Sequence, residues 1–409
     1  DNGYLQMQDT EDKLLVKGNL TLGETYGSSK GECLTNGTVE VKGDFTSNYK
    51  ETGSNWYGYY ETNMHKTIFS GEKTQKISFK EPSQVNGFND NLELQNNNIN
   101  FATPLYSLTV NNDMAISETK DLQIVTQLII NNGSFVTTGN VEANMLNINN
   151  TKENQIQGNL NMTGTVVFKK GSLEVGGNAK FDNGYLQMKD TEDKLVVKGN
   201  MTLGETYGGS ESDCLTNGTV EVKGDFTSNY KETGSNWYGY YETNTHKTIF
   251  SGEKTQKISF KEASQVNGFS DKLELQNNDI NFATPIYNVK INQDTQLTNT
   301  EKLMITGTLN TGGYKFATTG NIDAERLDMG GAGVEIAGDV AVRTMNVSGS
   351  DNLIKGNLMA NGGGAAFKQG SLEVGGNAEF NNGFLQMQDT EDKLLVKGNL
   401  TLGETYGSS

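Results

Sequence analysis

Short runs of alternating apolar and polar residues recur along the chain at a nearly constant interval. A Gly, usually followed by Asn, opens such a run at Gly139, Gly158, Gly177, Gly199 and Gly218, with spacings of 19, 19, 22 and 19 residues. Residues two apart on a strand share a face, so each run predicts a short strand with one apolar side. Further strands fit between these marks, which predicts about three strands for every 18–20 residues.

This rhythm is typical of a parallel β-solenoid, in which one coil buries its apolar side only against the next. Gly and Asn suit the corners, and proline, which removes ladder donors, occurs only 3 times. We predict an all-β fold, a parallel β-solenoid with coils of about 18–22 residues. An array of β-sandwich domains is the alternative, but a 19-residue period is short for such a domain. The expected core residues of one coil are Leu160, Met162, Val166, Phe168, Leu173 and Val175.

A much longer repeat contains the short one. The run DNGYLQMQDTEDKLLVKGNLTLGETYG opens the chain, and near copies of it begin at residues 182 and 381. The chain therefore divides into long repeat 1 (1–181), long repeat 2 (182–380) and the start of a third (381–409). We interpret it as a window from a longer repeating polypeptide.

One segment in each long repeat breaks the short period, at about 46–101 and about 227–282. In the first copy, the strand-like runs His65–Phe69 and Lys76–Phe79 flank the turn sequence SGEKTQ. Two such runs around a turn predict a β-hairpin. We therefore expect a hairpin-containing insertion that projects from the solenoid or folds over it.

The charge of the chain narrows the function classes. The net charge is −17, and Arg326 and Arg343 are its only arginines, which argues against nucleic acid as a partner. No apolar run approaches the roughly 20 residues of a membrane span. Phosphate-binding, dinucleotide-binding and nucleophile-elbow motifs are absent from the sequence, so we predict neither a cofactor nor an enzyme.

The densest aromatic cluster is the stretch GSNWYGYYET, which occupies residues 53–62 and recurs unchanged at 234–243. On a strand its rings would lie on both faces, so one set could pack on the solenoid while the other is exposed. Exposed rings would bind a sugar or a protein partner, whereas packing or contact between neighbouring copies is the alternative. The candidates are Trp56, Tyr57, Tyr59, Tyr60, Trp237, Tyr238, Tyr240 and Tyr241.

Other polar candidates are few. Cys33 and Cys214 occupy equivalent positions, too far apart in a straight solenoid for a mutual disulfide, so they either cross-link different chains or act as small apolar residues. His65 and His246 each stand alone in their repeats, which predicts no metal site. The acidic sequence QDTEDK at 8–13 lacks the spacing of calcium-binding β-roll repeats, and we interpret it as a solvated loop.

The sequence GTVEVKGDFTS…HKTIFSGEKTQKISF…NGFNDNLELQN spans Gly37 to Asn96, with a near copy from Gly218 to Asn277. Together with the GNLTL runs, it resembles large secreted bacterial β-solenoid surface proteins, namely filamentous-haemagglutinin-like exoproteins and adhesins. The resemblance implies an extracellular location at the bacterial surface and a structural or adhesive role, and it transfers no catalytic residues.

These observations leave three hypotheses. The first is a fibrous structural protein whose partners are other copies of the same chain. The second is an adhesin whose repeated aromatic segment binds polysaccharide or a host protein, with avidity supplied by repetition. The third, a polysaccharide-degrading enzyme, is disfavoured because two near-identical sites in series would be unusual.

Overall fold

The computed structural model describes residues 2–26, 33–50, 58–61, 64–83, 86–88, 91–207, 214–231, 239–264, 267–269, 273–331 and 333–403. These residues contain β-strands and no helix, and the strands stack in parallel into a β-solenoid of about 15 turns. The predicted fold class is therefore confirmed. The chain forms two compact units, Asp1–Gly199 and Asn200–Ser409.

The first unit consists of short strands separated by turns. Its strands are β1 (Asn2–Gly3), β2 (Lys13–Val16), β3 (Leu20–Leu22), β4 (Thr25–Tyr26), β5 (Thr38–Val41), β6 (Phe45–Ser47), β7 (Lys66–Phe69), β8 (Gln75–Phe79), β9 (Leu92–Leu94), β10 (Ile99–Phe101), β11 (Leu105–Val110), β12 (Met114–Ile116), β13 (Asp121–Ile130), β14 (Phe135–Thr137), β15 (Asn140–Ile148), β16 (Glu153–Ile156), β17 (Leu160–Met162), β18 (Val166–Phe168), β19 (Ser172–Val175), β20 (Ala179–Gly184), β21 (Leu186–Met188) and β22 (Lys194–Val197).

The second unit has the same construction. Its strands are β23 (Met201–Tyr207), β24 (Thr219–Val222), β25 (Phe226–Ser228), β26 (Lys247–Phe250), β27 (Gln256–Phe260), β28 (Leu273–Leu275), β29 (Ile280–Phe282), β30 (Val289–Lys290), β31 (Thr295–Leu297), β32 (Lys302–Asn310), β33 (Phe316–Thr318), β34 (Asn321–Met329), β35 (Val334–Ile336), β36 (Val340–Val347), β37 (Asn352–Ile354), β38 (Leu358–Phe367), β39 (Ser371–Val374), β40 (Ala378–Asn381), β41 (Leu385–Met387), β42 (Lys393–Val396) and β43 (Leu400–Leu402).

Each coil runs over three faces, which we call A, B and C. In the first unit, face A contains the ladders β2–β5–β7–β9 and β12–β14–β16–β19–β22. Face B contains β3–β6–β8–β10, the first halves of β13 and β15, and then β17 and β20. Face C contains β11, the second halves of β13 and β15, and then β18 and β21. A register shift between Ile124 and Gln127 marks the corner between faces B and C.

The same three faces occur in the second unit. Face A contains β24–β26–β28 and β31–β33–β35–β37–β39–β42. Face B contains β23–β25–β27–β29, the first halves of β32, β34, β36 and β38, and then β40 and β43. Face C contains β30, the second halves of the four long strands, and β41.

The core lies between the three faces. The residues expected there from the alternating pattern, Leu160, Met162, Val166, Phe168, Leu173 and Val175, are all buried. They come from β17, β18 and β19, one strand on each face. The parse of this stretch into three strands per coil is therefore confirmed.

The Gly-Asn signature forms the corner between faces A and B. The Asn159 N–H donates to Oδ1 of Asn140 at 2.8 Å, and the Asn178 N–H donates to Oδ1 of Asn159 at the same distance. Gly158 packs against this ladder so closely that a Cβ there would lie 2.6 Å from Oδ1 of Asn140. The corner therefore needs Asn for its side-chain ladder and Gly for the close approach.

The predicted hairpin is wrong. Strands β7 and β8 do not pair with each other; β7 pairs in parallel with β5 and β9, and β8 pairs in parallel with β6 and β10. The second copy repeats this arrangement with β26 and β27. Each of the two strands has one apolar side. Both apolar sides point into the core only when the two strands lie on different faces of the solenoid. The described strands of the segments 46–101 and 227–282 therefore belong to the ladders of the solenoid.

Candidate functional site

The described residues of the repeated aromatic segment lie on face C. Tyr59 and its counterpart Tyr240 are buried in the core, whereas Tyr60 and Tyr241 point outward and are half-buried. The other four candidates, Trp56, Tyr57, Trp237 and Tyr238, lie outside the described residues. One tyrosine of each described pair is thus a packing residue.

The ring of Tyr59 belongs to an aromatic cluster that closes the core. Its centroid lies 4.9 Å from that of Phe45 and 5.9 Å from that of Phe88, both in edge-on arrangements. Phe88 also contacts Phe69 at 5.6 Å and Phe79 at 5.2 Å. Edge-on aromatic pairs contribute about 0.5–1.5 kcal/mol each beyond burial. The cluster therefore anchors the aromatic segment to faces A and B.

A polar network lies beside these rings. The Tyr59 hydroxyl is 2.7 Å from Oγ1 of Thr67, and the Thr67 hydroxyl also donates to the carboxylate of Glu61. Tyr59 and Thr67 are 0 % exposed and Glu61 is 2 % exposed. Groups buried to this degree cannot reach a substrate in solution, so the network holds face C in place.

The second copy has the same network, and there the pKa of the buried tyrosine is shifted. The Tyr240 hydroxyl lies 2.7 Å from Oγ1 of Thr248, which donates to Glu242. Burial, reinforced by the negative charge of Glu242, raises the pKa of Tyr240 well above its ordinary value. Tyr240 is therefore a neutral hydrogen-bonding group at physiological pH.

Each histidine is buried at the turn between faces C and A. His65 Nδ1 lies 2.7 Å from the Asn36 carbonyl oxygen, and His246 Nδ1 lies 2.7 Å from that of Asn217. Among the described residues, Nε2 of either ring has no hydrogen-bond partner. Burial lowers the pKa of His246 to about 4, although the bond to Asn217 opposes this shift. The ring is therefore neutral at physiological pH, with its Nδ1–H donated to the backbone.

Asn86 organises the next coil of face C, at the bridge between Tyr60 and Gly87. Its Oδ1 accepts hydrogen bonds from the Ser47 hydroxyl at 2.8 Å and from the Tyr59 N–H at 3.3 Å, and its Nδ2 donates to the Glu81 carbonyl at 2.9 Å. Gly58 leaves room for this amide, because a Cβ there would lie 2.6 Å from Oδ1 of Asn86.

Sequence reasoning missed several of these inward polar residues. The signal was present in the alternation, since Thr67 occupies the same inward set as Phe69 in the run KTIF. The second signal was the unchanged repetition of these residues at an interval of 181. The missed residues are Ser47, Glu61, Thr67 and Asn86, with their counterparts Ser228, Glu242, Thr248 and Asn267.

The cysteines lie on the outer side of face C. Leu34 and Glu61 form a parallel bridge, which places Cys33 next to Tyr60. Leu215 and Glu242 form the equivalent bridge beside Cys214. Both cysteines are half-buried, and neither forms a disulfide within the chain. A cross-link between chains stays a prediction.

The carboxylates of the acidic turn accept hydrogen bonds from backbone N–H groups of the protein itself. Oδ2 of Asp12 accepts hydrogen bonds from the N–H groups of Gln8 at 2.9 Å and Asp9 at 3.0 Å, and Oδ1 of Asp9 accepts one from Glu11 at 3.0 Å. The third copy of the turn also reaches the previous coil. Desolvation pushes the pKa of Asp392 upward, but hydrogen bonds from several backbone N–H groups, including that of Gly370, outweigh it and lower the pKa. The turn is therefore a backbone cap.

No protein-family model, curated protein or solved structure matches this chain. Across the described part of the chain, no helix could span a membrane. The same residues contain no group of three His, Cys, Asp or Glu side chains placed to bind a metal ion. The functional argument therefore rests on the solenoid and its surface.

Proposed function

We propose that this chain is part of a fibrous protein of the bacterial surface or extracellular matrix, in which tandem β-solenoid repeats form a stiff rod or filament. The role is structural and adhesive. Its partners are other copies of the same chain, which meet laterally or end to end. We propose no catalytic activity, and expect no turnover when the chain is incubated with a panel of polysaccharides.

The dependence of each coil on its neighbours is the observation that carries this proposal. On face B of the second unit, Leu358 and Phe380 are each 1 % exposed. Leu400 and Leu402 hold the same two inward rows in the last described coil, and they are 49 % and 51 % exposed. Stability in such a stack is a sum of nearest-neighbour terms, so length adds stability and stiffness. This property suits a rod.

Side chains add bonds between coils along the outer wall. Lys198 Nζ lies 2.6 Å from Oε1 of Glu174 in the first unit, and Lys247 Nζ lies 2.6 Å from Oε1 of Glu274 in the second. Each exposed pair contributes little by itself, on the order of 0–1 kcal/mol. Repeated along a stack, the pairs favour one coil register and keep charge on the surface, which opposes unspecific clumping.

An adhesive use of the aromatic segment is the second candidate. Tyr60 pairs with Gly87 on face C, and its half-buried side chain lies on the outward side of that face. A partly exposed aromatic ring supports a contact with a glycan or a host protein.

Two experiments test the structural proposal: electron microscopy of the purified chain, and treatment of intact cells with an external protease. We expect thin rods, and we expect an external protease to degrade the protein on intact cells. Ile124→Asp should abolish the rods because Ile124 is 3 % exposed, whereas the neighbouring outward change Gln123→Asp should leave them intact. Globular particles, or a protein protected inside intact cells, would overturn the proposal.

A further inference from the structure

Face B of the second unit, with its corner to face A, carries a long trough. Three adjoining depressions hold about 490, 420 and 530 Å³. The first two share Asn321, and the last two share Ala341 and Met359, so they form one continuous surface. The depressions are open to solvent, so a ligand segment would lie along the surface and not inside an enclosed pocket.

A single outward row explains the shape of the trough. Strand pairing aligns Met304, Asp323, Ala341, Met359 and Glu379 on successive coils. Ala341 is the smallest of them and forms the floor between larger side chains. Four coil steps of about 4.8 Å give the row a length of roughly 19 Å. Its corresponding row in the first unit has no such small residue and consists of Gln123, Glu142, Asn161 and Lys180.

The corner with face C forms the second wall. Thr306, Glu325, Arg343 and Asn361 line it, one from each of four coils. Gly362 follows Asn361 in this corner with a φ of 109°, a backbone conformation that favours glycine. The trough thus has a floor of one methyl group and two thioethers beside the carboxylates of Asp323 and Glu379, and a wall of hydroxyl, amide and ionic groups.

Both cationic groups of the trough are already paired with carboxylates, and Glu301, Asp339 and Glu379 add further negative charge. Arg343 Nη1 lies 2.7 Å from Oε1 of Glu325, and Lys302 Nζ lies 2.8 Å from Oδ2 of Asp323. An anionic ligand would have to displace one of these partners. Thr306 and Asn361 contribute a neutral hydroxyl and a neutral amide, which exchange hydrogen bonds with sugar hydroxyls without breaking an ion pair.

We propose that this trough, defined by Met304, Ala341, Arg343, Met359 and Asn361, binds a segment of an uncharged, linear polysaccharide. The coil repeat is close to the length that one sugar unit adds to an extended glycan, so successive coils would contact successive sugars. Met304 and Met359 would pack on the C–H faces of the sugars, while the Glu325–Arg343 pair would hydrogen-bond to their hydroxyls. This inference rests on the adhesive part of the proposed function and assigns it to face B.

Binding of the full chain to immobilised polysaccharides tests the inference. The probes are dextran, mannan and xyloglucan as neutral polymers, alginate as an anionic polymer and chitosan as a cationic one. We expect the parent to bind at least one neutral polymer in preference to both charged ones. Ala341→Trp, which fills the floor, should weaken that binding by at least about tenfold.

Two further variants make the result specific. Asn161→Trp places the same side chain on the equivalent row of the first unit, and it should change the affinity less than about twofold. Met359→Ala removes one of the two thioethers of the floor at a position that is 45 % exposed, so it should weaken binding without unfolding the chain.

The inference is overturned if no neutral polymer binds, if Ala341→Trp and Met359→Ala both bind like the parent, or if only charged polymers bind. It is also overturned if Trp56→Ala with Trp237→Ala abolishes binding while the trough variants do not. Electron microscopy of the same samples separates the two proposals. Rods that bind no glycan contradict only the trough, whereas the absence of rods contradicts the proposed function.

Discussion

The hydroxyl of Tyr59 lies 2.7 Å from Oγ1 of Thr67 inside the core, which joins face C to face A through two fully buried side chains. This bond recurs in the second copy at the same distance. It marks the point at which the aromatic segment is fastened to the solenoid.

Thr67→Val should lower the free energy of unfolding by about 1–3 kcal/mol, because it removes buried hydrogen bonds while keeping the shape of the side chain. Urea unfolding measures the loss. Thr38→Val changes an outward residue on the adjacent strand of the same face and should stay within about 0.5 kcal/mol of the parent. Equal effects of the two variants would contradict a special role for the buried network.

The buried His246 should make stability depend on pH. Its pKa is about 4 in the folded protein and 6.5 in the unfolded chain, so the unfolded chain binds more protons between these values. The stability is complete above about pH 6.5 and is lost as the pH falls towards 4, by about 3 kcal/mol in total.

His246→Gln tests this dependence, since glutamine keeps a donor for the Asn217 carbonyl but does not titrate. Thermal or urea unfolding between pH 7 and pH 4 should show a smaller loss in the variant than in the parent. Carboxylates titrate in both proteins, so the difference between the two curves isolates the histidine. Parallel curves would rule out the histidine as the cause.

Gly158→Ala should destabilise the corner by about 1–3 kcal/mol, because its Cβ would overlap Oδ1 of Asn140 and the Gly139 backbone. The chain contains its own control. Gly18 opens the same Gly-Asn motif in the first described coil, where a Cβ would meet no atom within 4 Å. Gly18→Ala should therefore leave the unfolding midpoint nearly unchanged, and similar losses at both positions would contradict the close-approach argument.

Leu358 and Leu400 lie in the same inward row, the first in an internal coil and the second in the last described coil. Leu358→Ala and Leu400→Ala therefore compare the same substitution with and without a coil on both sides. Leu358 is 1 % exposed, and its loss should cost about 2–5 kcal/mol. Leu400 is 49 % exposed and should cost much less. Denaturant unfolding measures both, and equal costs would show that burial by neighbouring coils does not set the stability of the stack.

The sequence predicted that the rings of the aromatic segment lie on two sides of a strand, and it left open which side faces the core. Alternation places the side chains of Tyr59 and Tyr60 on opposite sides of the strand, but it does not say which of the two points into the core. The tertiary structure places Tyr59 inside because Phe45 from its own coil and Phe69, Phe79 and Phe88 from the next coil leave an apolar space for its ring. That choice depends on residues up to 29 positions away, which no local pattern contains.

The coil period, the strand positions and the inward residues of regular coils followed from the sequence alone. Local alternation and the Gly-Asn corners impose them, as Leu160, Met162 and Gly158 show. Only the tertiary structure decided the partner of each strand. The runs at β7 and β8 have the local form of a hairpin, yet each pairs with strands from neighbouring coils, because that arrangement buries both inward sides and completes both ladders. The trough above Ala341 was decided in the same way, since it exists only where five residues from separate coils align on one face.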